Sequence, residues 1–476
     1  MVLEASEHKA THAVSSSTER LLQQLLARFT PEMRLLKASM RDSVPVREIS
    51  RSASLELLML DSPSRAIASA PTGGIAADIN PLLNDRSGQR FAQSATAVAT
   101  FDHAWQLGRH FSAQLQPRVA GGGVGANKFS ELTLQTGSVA FEAHNVLFNV
   151  GRQQIVWGQG IEGGMLLSTS GRPLDAVTIA VDHPFQFPHP IQWLGQFRGT
   201  ILVADLGARQ NFPHAKIVAY KGSSAVTSFL ELGISMMVQQ GGRGAPGASF
   251  TDHFFDFFPF RNDKRANPPQ FSNKLGGFDA RVRIPMLHNA QLYAESIFDD
   301  IDPHRLMDAF LHDAGHIAGV SLTQLGPDGA LSATGEFHRT GLRYYRHTPF
   351  TSGVTFNRSL LGDPLGPEGD GANLRIRFNR GGRQSWKLDA AIERRSGDVW
   401  STTSQEPNAS NFHFVLDEAK PAEWRHRAQL EWTLRVKSEQ RLTVQAGVES
   451  VRNFGFANGA NRVNSIAGIQ YAWLAW

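Results

Sequence analysis

The last third of the chain alternates apolar and polar residues one for one, in segment after segment. In Asn373–Asn379, Leu374, Ile376 and Phe378 alternate with Arg375 and Arg377. In Ser385–Glu393, Trp386, Leu388, Ala390 and Ile392 alternate with Lys387, Asp389 and Glu393. Ala428–Lys437 sets Leu430, Trp432, Leu434 and Val436 against Glu431, Thr433, Arg435 and Lys437. Arg441–Glu449 sets Leu442, Val444, Ala446 and Val448 against Thr443, Gln445 and Glu449. A period of two predicts β-strands with two chemically opposite faces. One face is apolar, and the other carries charges that a packed core could not hold unpaired. A soluble sheet could do this once or twice. Repeated this often, with Trp on the apolar side, the pattern predicts an all-β antiparallel transmembrane barrel with its charges facing inward. The terminal Trp476 suits the aromatic end of a chain inserted in an outer membrane.

Composition narrows the alternatives. No run of 18 or more apolar residues occurs, so a membrane protein of this sequence crosses with strands and not with a helix. The 47 basic and 43 acidic side chains leave a formal charge of +4, too mild to point to nucleic acid. Without cysteine the chain can form no disulfide and no thiolate. Nothing in the sequence calls for a cofactor.

Three regions are expected. Residues 1–17, rich in Ser, Thr and His, form a disordered tail. Residues 18–85 form a periplasmic α-helical module and linker. Leu21, Leu22, Leu25, Leu26 and Phe29 recur at helical spacing, and Pro31 ends that helix. Thr30-Pro31-Glu32 then opens a second helix bearing Met33, Leu36 and Met40. A Gly- and Pro-rich connector runs through Ser62–Gly88. Residues 86–476 form the barrel, long enough for roughly 16 to 20 strands of ~9–11 residues with their turns. Met1–Ser17 lacks the features of an export signal, and Leu55–Leu60 is a short apolar run interrupted by Glu56. The outer-membrane reading therefore expects the signal to have been removed or to lie upstream.

Four stretches carry possible chemistry. Gly151–Pro173 is Gly-rich and holds Arg152, Trp157 and Arg172. It reads either as a loop folded into the barrel or as a site in which Trp157 stacks on a sugar and the arginines bind acidic groups. It contains no G-x-S-x-G elbow, so a serine hydrolase has no support there. Arg343–Gly371 joins Arg343, Tyr344, Tyr345, His347 and Arg358 to a Gly/Pro-rich segment, a composition suited to carbohydrate. Glu295, Asp299 and Asp300 form an acidic cluster of open role: a polar strand end, a ligand contact or a carboxylate pair. His312-Asp313-Ala314-Gly315-His316 imitates a metalloprotease motif by spacing alone. On a strand its two histidines stand about 13 Å apart, too far to share one zinc ion. No catalytic or metal residue is assigned. Thr251–Phe260, with five Phe, fits an aromatic girdle, a loop over the pore or a ligand patch.

Three segments together resemble the Wzi capsule-assembly family of outer-membrane proteins. The first is Gly151-Arg152-Gln153 with Trp157-Gly158-Gln159-Gly160, Leu166-Leu167-Ser168 and Arg172-Pro173. The second is Tyr293-Ala294-Glu295 running into Asp299-Asp300. The third is Tyr345-Arg346-His347-Thr348-Pro349-Phe350-Thr351-Ser352-Gly353, then Leu361-Gly362 and Leu365-Gly366. The resemblance covers roughly residues 75–476. Gln159 stands where members often have Pro. It implies an 18-stranded barrel with a small periplasmic helical module, and a non-enzymatic, lectin-like role in holding capsular polysaccharide at the cell surface. Expected partners are an acidic or neutral polysaccharide and outer-membrane lipid, with the polysaccharide export machinery a further candidate; the chain is expected to be a monomer. Arg152, Trp157, Arg172, Arg343, Tyr344, Tyr345, His347 and Arg358 are the expected polysaccharide contacts. The competing function is a porin-like channel for sugars or other polar solutes.

Overall fold

The computed structural model describes residues 46–62, 65–66, 77–79, 82, 86–258, 271–299, 307, 309–326, 329–345, 349–404 and 412–475. The expected tail at 1–17, the helical pair within 18–45 and Trp476 lie outside the described residues.

Nineteen hydrogen-bonded segments form one sheet. Two of them, Leu174–Val181 and Phe185–Gln186, pair with the same neighbour and make one interrupted strand, leaving eighteen. In chain order these are β1 (Val46–Leu60), β2 (Ser94–Leu107), β3 (Phe111–Gly122), β4 (Phe129–Ala143), β5 (Val146–Gln153) and β6 (Leu174–Val181, with its continuation). Next come β7 (Gln196–Asp205), β8 (Lys216–Ala225), β9 (Leu230–Gln240), β10 (Ser272–Ile284), β11 (Ala290–Asp299) and β12 (Ala314–Leu325). The last six are β13 (Leu331–Thr340), β14 (Gly369–Arg380), β15 (Gln384–Arg395), β16 (Glu423–Lys437), β17 (Gln440–Arg452) and β18 (Asn461–Ala475). Each strand pairs antiparallel with the next, and β1 pairs with both β2 and β18. The sheet thus closes without a free edge, as a strand structure in lipid requires.

β1 moves the boundary of the barrel. The sequence places residues 46–60 in the helical module and linker and starts the barrel at 86, whereas the structure builds the closing strand from Val46–Leu60. The Leu55–Leu60 run lies in that strand. Its outward Leu55, Leu57 and Met59 are exposed, while Leu58 and Leu60 are buried inside. Those two pack with Leu82, Phe91, Val98, Ala120 and Ile466. An apolar patch on the inner face erases the alternation that marks the other strands.

The two barrel ends differ. Short turns and both sheet termini share one end; the turn His144-Asn145 has φ of 49° and 66°, as two-residue hairpins require. Longer connections leave and rejoin the wall at the opposite end, between Gln153 and Leu174, Gln240 and Ser272, Thr340 and Gly369, and Arg395 and Glu423. In outer-membrane barrels short turns face the periplasm and long loops face outward.

Face assignments follow the alternation. Leu374, Phe378, Trp386, Ile392, Leu430, Val436, Val444 and Val448 are exposed on the outer wall. Near the short-turn end Trp386 lies 5.9 Å from Trp432 and Phe111 lies 4.9 Å from Phe141, part of an aromatic girdle. Inward-facing charges pair with one another. Arg425 donates from Nη1 to Glu393 at 2.8 Å and from Nε to Glu449 at 2.6 Å, and Arg427 also reaches Glu393.

Candidate functional site

Residues 154–173 turn back into the lumen from the end of β5. Close approach makes the glycines necessary: a Cβ on Gly164 would stand 2.3 Å from the Trp157 carbonyl oxygen and 2.7 Å from both Glu295 oxygens. Wall carboxylates receive the backbone. Glu295 Oε1 on β11 accepts the Met165 N–H at 2.6 Å, and Glu336 Oε2 on β13 accepts the Ile161 N–H at 2.7 Å. Gln159 donates to Asp279 at 3.0 Å and accepts from Arg281 Nε at 2.8 Å, both on β10. Arg375 of β14 donates to the Ile161 carbonyl at 3.3 Å.

A second inward segment, 341–345 and 349–368, locks onto the first. The Tyr345 hydroxyl donates to the Met165 carbonyl at 2.5 Å and accepts the Asp363 N–H at 2.7 Å. Tyr344 donates to the same carbonyl at 3.3 Å. The Ser168 N–H and Oγ donate to the carbonyls of Leu361 and Gly362, at 2.7 and 2.5 Å. The β7–β8 connection joins in, with the Asn211 N–H donating to Ser352 Oγ at 2.7 Å. Asp78 and Gly88, ahead of β2, tie in as well. Arg358 grips Asp78 through two bonds of 2.7 and 2.6 Å, and Arg172 Nε donates to the Gly88 carbonyl at 2.8 Å. An apolar core that includes Trp157, Met165, Leu167, Tyr344, Tyr345, Phe350 and Leu361 fills the loop end of the barrel.

Elsewhere in the lumen is a polar cavity of about 240 Å³, lined by Glu56, Arg86, Lys387, Asp389, Gln429, Glu431, Thr443, Gln445, Gly468 and Gln470. Its charges are already paired. Arg86 donates to Glu56 at 3.1 Å and Gln445 at 2.9 Å, and Lys387 lies 3.1 Å from Glu431. Such a cavity can hold water or a small polar group.

The expected site residues separate into three groups. Trp157, expected as a sugar platform, and Tyr344 and Tyr345, expected as polysaccharide contacts, sit in the packed core. Trp157 is 9% exposed and both tyrosines are fully buried, which leaves little aromatic surface for a sugar to stack on. Burial also pushes both phenols well above the usual tyrosine range, which keeps them neutral donors. Arg343, Arg358 and Arg172 stay at the loop end, each engaged. Arg343 makes two bonds of 2.5 Å to Asp313 and stacks over Phe414, 5.3 Å from the ring centroid. The pair with Asp78 raises the Arg358 pKa, whereas burial, with Arg90, Arg118 and Arg209 nearby, lowers that of Arg172. Arg152 stands apart: it shares the outward face of β5 with Phe148 and Val150 and pairs with Asp175 through two bonds of 2.7 Å.

The acidic cluster also resolves. Glu295 holds the Met165 backbone, Asp299 is buried at the end of β11, and Asp300 lies outside the described residues, as does His347. His316 has both ring nitrogens engaged, with Ser296 Oγ at 3.0 Å and the Phe310 carbonyl at 2.9 Å. Among the described residues one grouping could hold a metal, Glu142, Asp182 and His183, at the short-turn end and away from the plug. Asp279 and Glu336 hold the plug but are not among the expected site residues. Their one signal in the sequence is a carboxylate on the polar face of an alternating strand, in a chain that also carries a Gly-rich inward segment.

Fold and site together define a class: an outer-membrane β-barrel with its own loops folded inward and packed at its loop end. The profile of the family described as Capsule assembly protein Wzi matches residues 67–465, and the chain belongs to that family. It is a protein of the bacterial outer membrane. It is 26% identical over 198 residues to an uncharacterized 55.8 kDa protein of the cps region of Klebsiella pneumoniae, a match spanning 41% of this chain and 38% of that protein. Its fold is similar to that of Wzi from Escherichia coli, an outer-membrane protein involved in group 1 capsule assembly and described as a carbohydrate-binding β-barrel. The TM-score is 0.63 at 20% identity, covering 97% of this chain and 90% of that one.

Proposed function

We propose that this chain binds capsular or other extracellular polysaccharide at the cell surface and anchors it there, performing no chemical step on it. The observation that carries this reading is the fixing of Met165. Its N–H is bonded to the wall through Glu295 and its carbonyl to the second loop through Tyr344 and Tyr345. A lumen blocked by loops bonded in this way favours an anchor over a diffusion channel. Arg343 and Arg358, both part-exposed at the loop end, are planar fork donors suited to hydroxyl, carboxylate and phosphate groups of a polymer. With Arg152, Arg172 and His347, they are our proposed polysaccharide contacts. The polymer is acidic or neutral, the barrel works as a monomer in outer-membrane lipid, and the export machinery that delivers the polymer is the proposed protein partner.

Planar-bilayer recording tests the anchor against the channel. The purified protein should give no steady, large conductance. An open, ohmic pore would favour the porin-like alternative and contradict the plugged lumen.

A further inference from the structure

The aromatic stretch within Thr251–Phe260 has no part in the plug. It contributes a short helix, α1 (Phe250–Asp256), opened by a capping box between Ser249 and Asp252. Its position follows from β9 and β10. Asp279 faces the lumen, because it bonds Gln159 of the plug. Lys274, an odd number of residues away on the same strand, therefore faces outward, as does Val238, its partner in register on β9. Lys274 is the ion-pair partner of the buried Asp256. His253 bonds Gln240, on the same outward face, at 2.8 Å, and Phe257 packs on the outward Tyr220 of β8 at 4.9 Å. The segment thus lies against the outside of the barrel.

It covers what would otherwise be lipid-facing wall. The outward positions of β9 run Leu230, Leu232, Ile234, Met236, Val238 and turn polar only at Gln240. Leu232 and Ile234 are exposed, 45% and 60%, but Met236 and Val238 are 4% and 1% exposed beneath the segment. On its far side Phe250, Phe254 and Phe258, spaced at i, i+4 and i+8, are 85%, 54% and 47% exposed. Polar groups hold the segment to the wall and phenyl rings point away from it. This orientation is the reverse of what water would select.

We propose that α1 and Phe257–Phe258 form a lateral membrane-contact element, seated in the outer leaflet with Phe250, Phe254 and Phe258 among its acyl chains. Lipid is the occupant because the segment continues the lipid-facing wall. The phenyl face adjoins the exposed apolar wall of Ile234 and Phe278 below it, and it lies at the loop-end margin of that band. The element widens the footprint of the barrel on one side and gives it a preferred lateral face in the leaflet.

The absence of native cysteine makes the test direct. Phe250→Cys, Phe254→Cys and Phe258→Cys each give one attachment point for a nitroxide spin label. The full-length protein is reconstituted in dimyristoylphosphatidylcholine vesicles, and folding is checked by heat-modified gel mobility. Collision with oxygen is compared with collision with a water-soluble nickel chelate. Ile234→Cys serves as the lipid reference and Met286→Cys, in a short turn, as the water reference. The oxygen-to-nickel ratio should match that of Ile234→Cys and exceed that of Met286→Cys several-fold at the three positions. A ratio at the water reference would overturn the proposal. Low access to both reagents would also overturn it, because the face would then be covered by protein, such as a second copy.

Discussion

Glu295 on the barrel wall and Met165 in the inward loop, 130 residues apart in sequence, meet in a hydrogen bond of 2.6 Å. The loop is thereby fixed to the wall at its deepest glycines, where no side chain could fit. Removing the acceptor should loosen the plug before it disturbs the barrel. Glu295→Ala should cost about 1–3 kcal/mol, the range for leaving a buried N–H without its acceptor. Glu295→Gln keeps an acceptor and should lose less. Urea unfolding of the two variants measures the difference, and intermittent conductance in planar bilayers should appear with Glu295→Ala first.

Trp157 is a second discriminating position. A sugar platform and a core residue respond differently to truncation. Buried with Met165 and Leu167, Trp157→Ala should lower stability by about 3–5 kcal/mol. Thermal unfolding in detergent reads this directly. Full stability with loss of polymer binding would return Trp157 to the ligand surface.

Arg343 tests the exposed surface instead. Its guanidinium is part-exposed but Asp313 is buried, so Arg343→Ala should cost about 1–3 kcal/mol while the barrel stays folded. Cell-bound polysaccharide should nevertheless fall several-fold. Arg343→Lys should rescue little, since an ammonium cannot make the paired bonds or stack on Phe414 in the same way. Wild-type retention in both variants would remove Arg343 from the site.

Inside the barrel, Arg425 sits between Glu393 and Glu449, and all three are buried. Arg425→Met leaves two carboxylates without their shared cation and should destabilise by about 3–5 kcal/mol. Adding Glu449→Gln should recover part of the loss. The midpoint of urea unfolding reports both effects.

Much of the wall was legible in the sequence, and the interior much less so. Strict alternation in Leu374–Phe378 and Leu442–Val448 identified strands and told which face meets lipid, because bilayer and lumen impose opposite demands on neighbouring residues. β1 lacks a clean alternation because Leu58 and Leu60 pack inward against Phe91 and Val98, which makes Leu57–Leu60 apolar on both faces. The glycines of Gly151–Pro173 allow an inward loop or a sugar site alike, and Trp157, Tyr344 and Tyr345 have the composition of ligand residues. Their burial depends on contacts across long separations, such as the 180 residues between Tyr345 and Met165. No local pattern carries that information. Five phenylalanines mark Thr251–Phe260 as unusual, but the place of its described part, 251–258, on the outer wall rests on the pairing of Asp256 with Lys274.

The anchoring role itself is tested most directly by the partition of polysaccharide between cells and medium. The measurement compares a strain lacking this protein with the same strain after the wild-type gene is restored. If the protein anchors polymer, its loss should move most of the polysaccharide into the medium while total production stays constant, and restoration should return it to the cells. An unchanged partition, or a fall in total polymer with no release, would contradict the anchoring role.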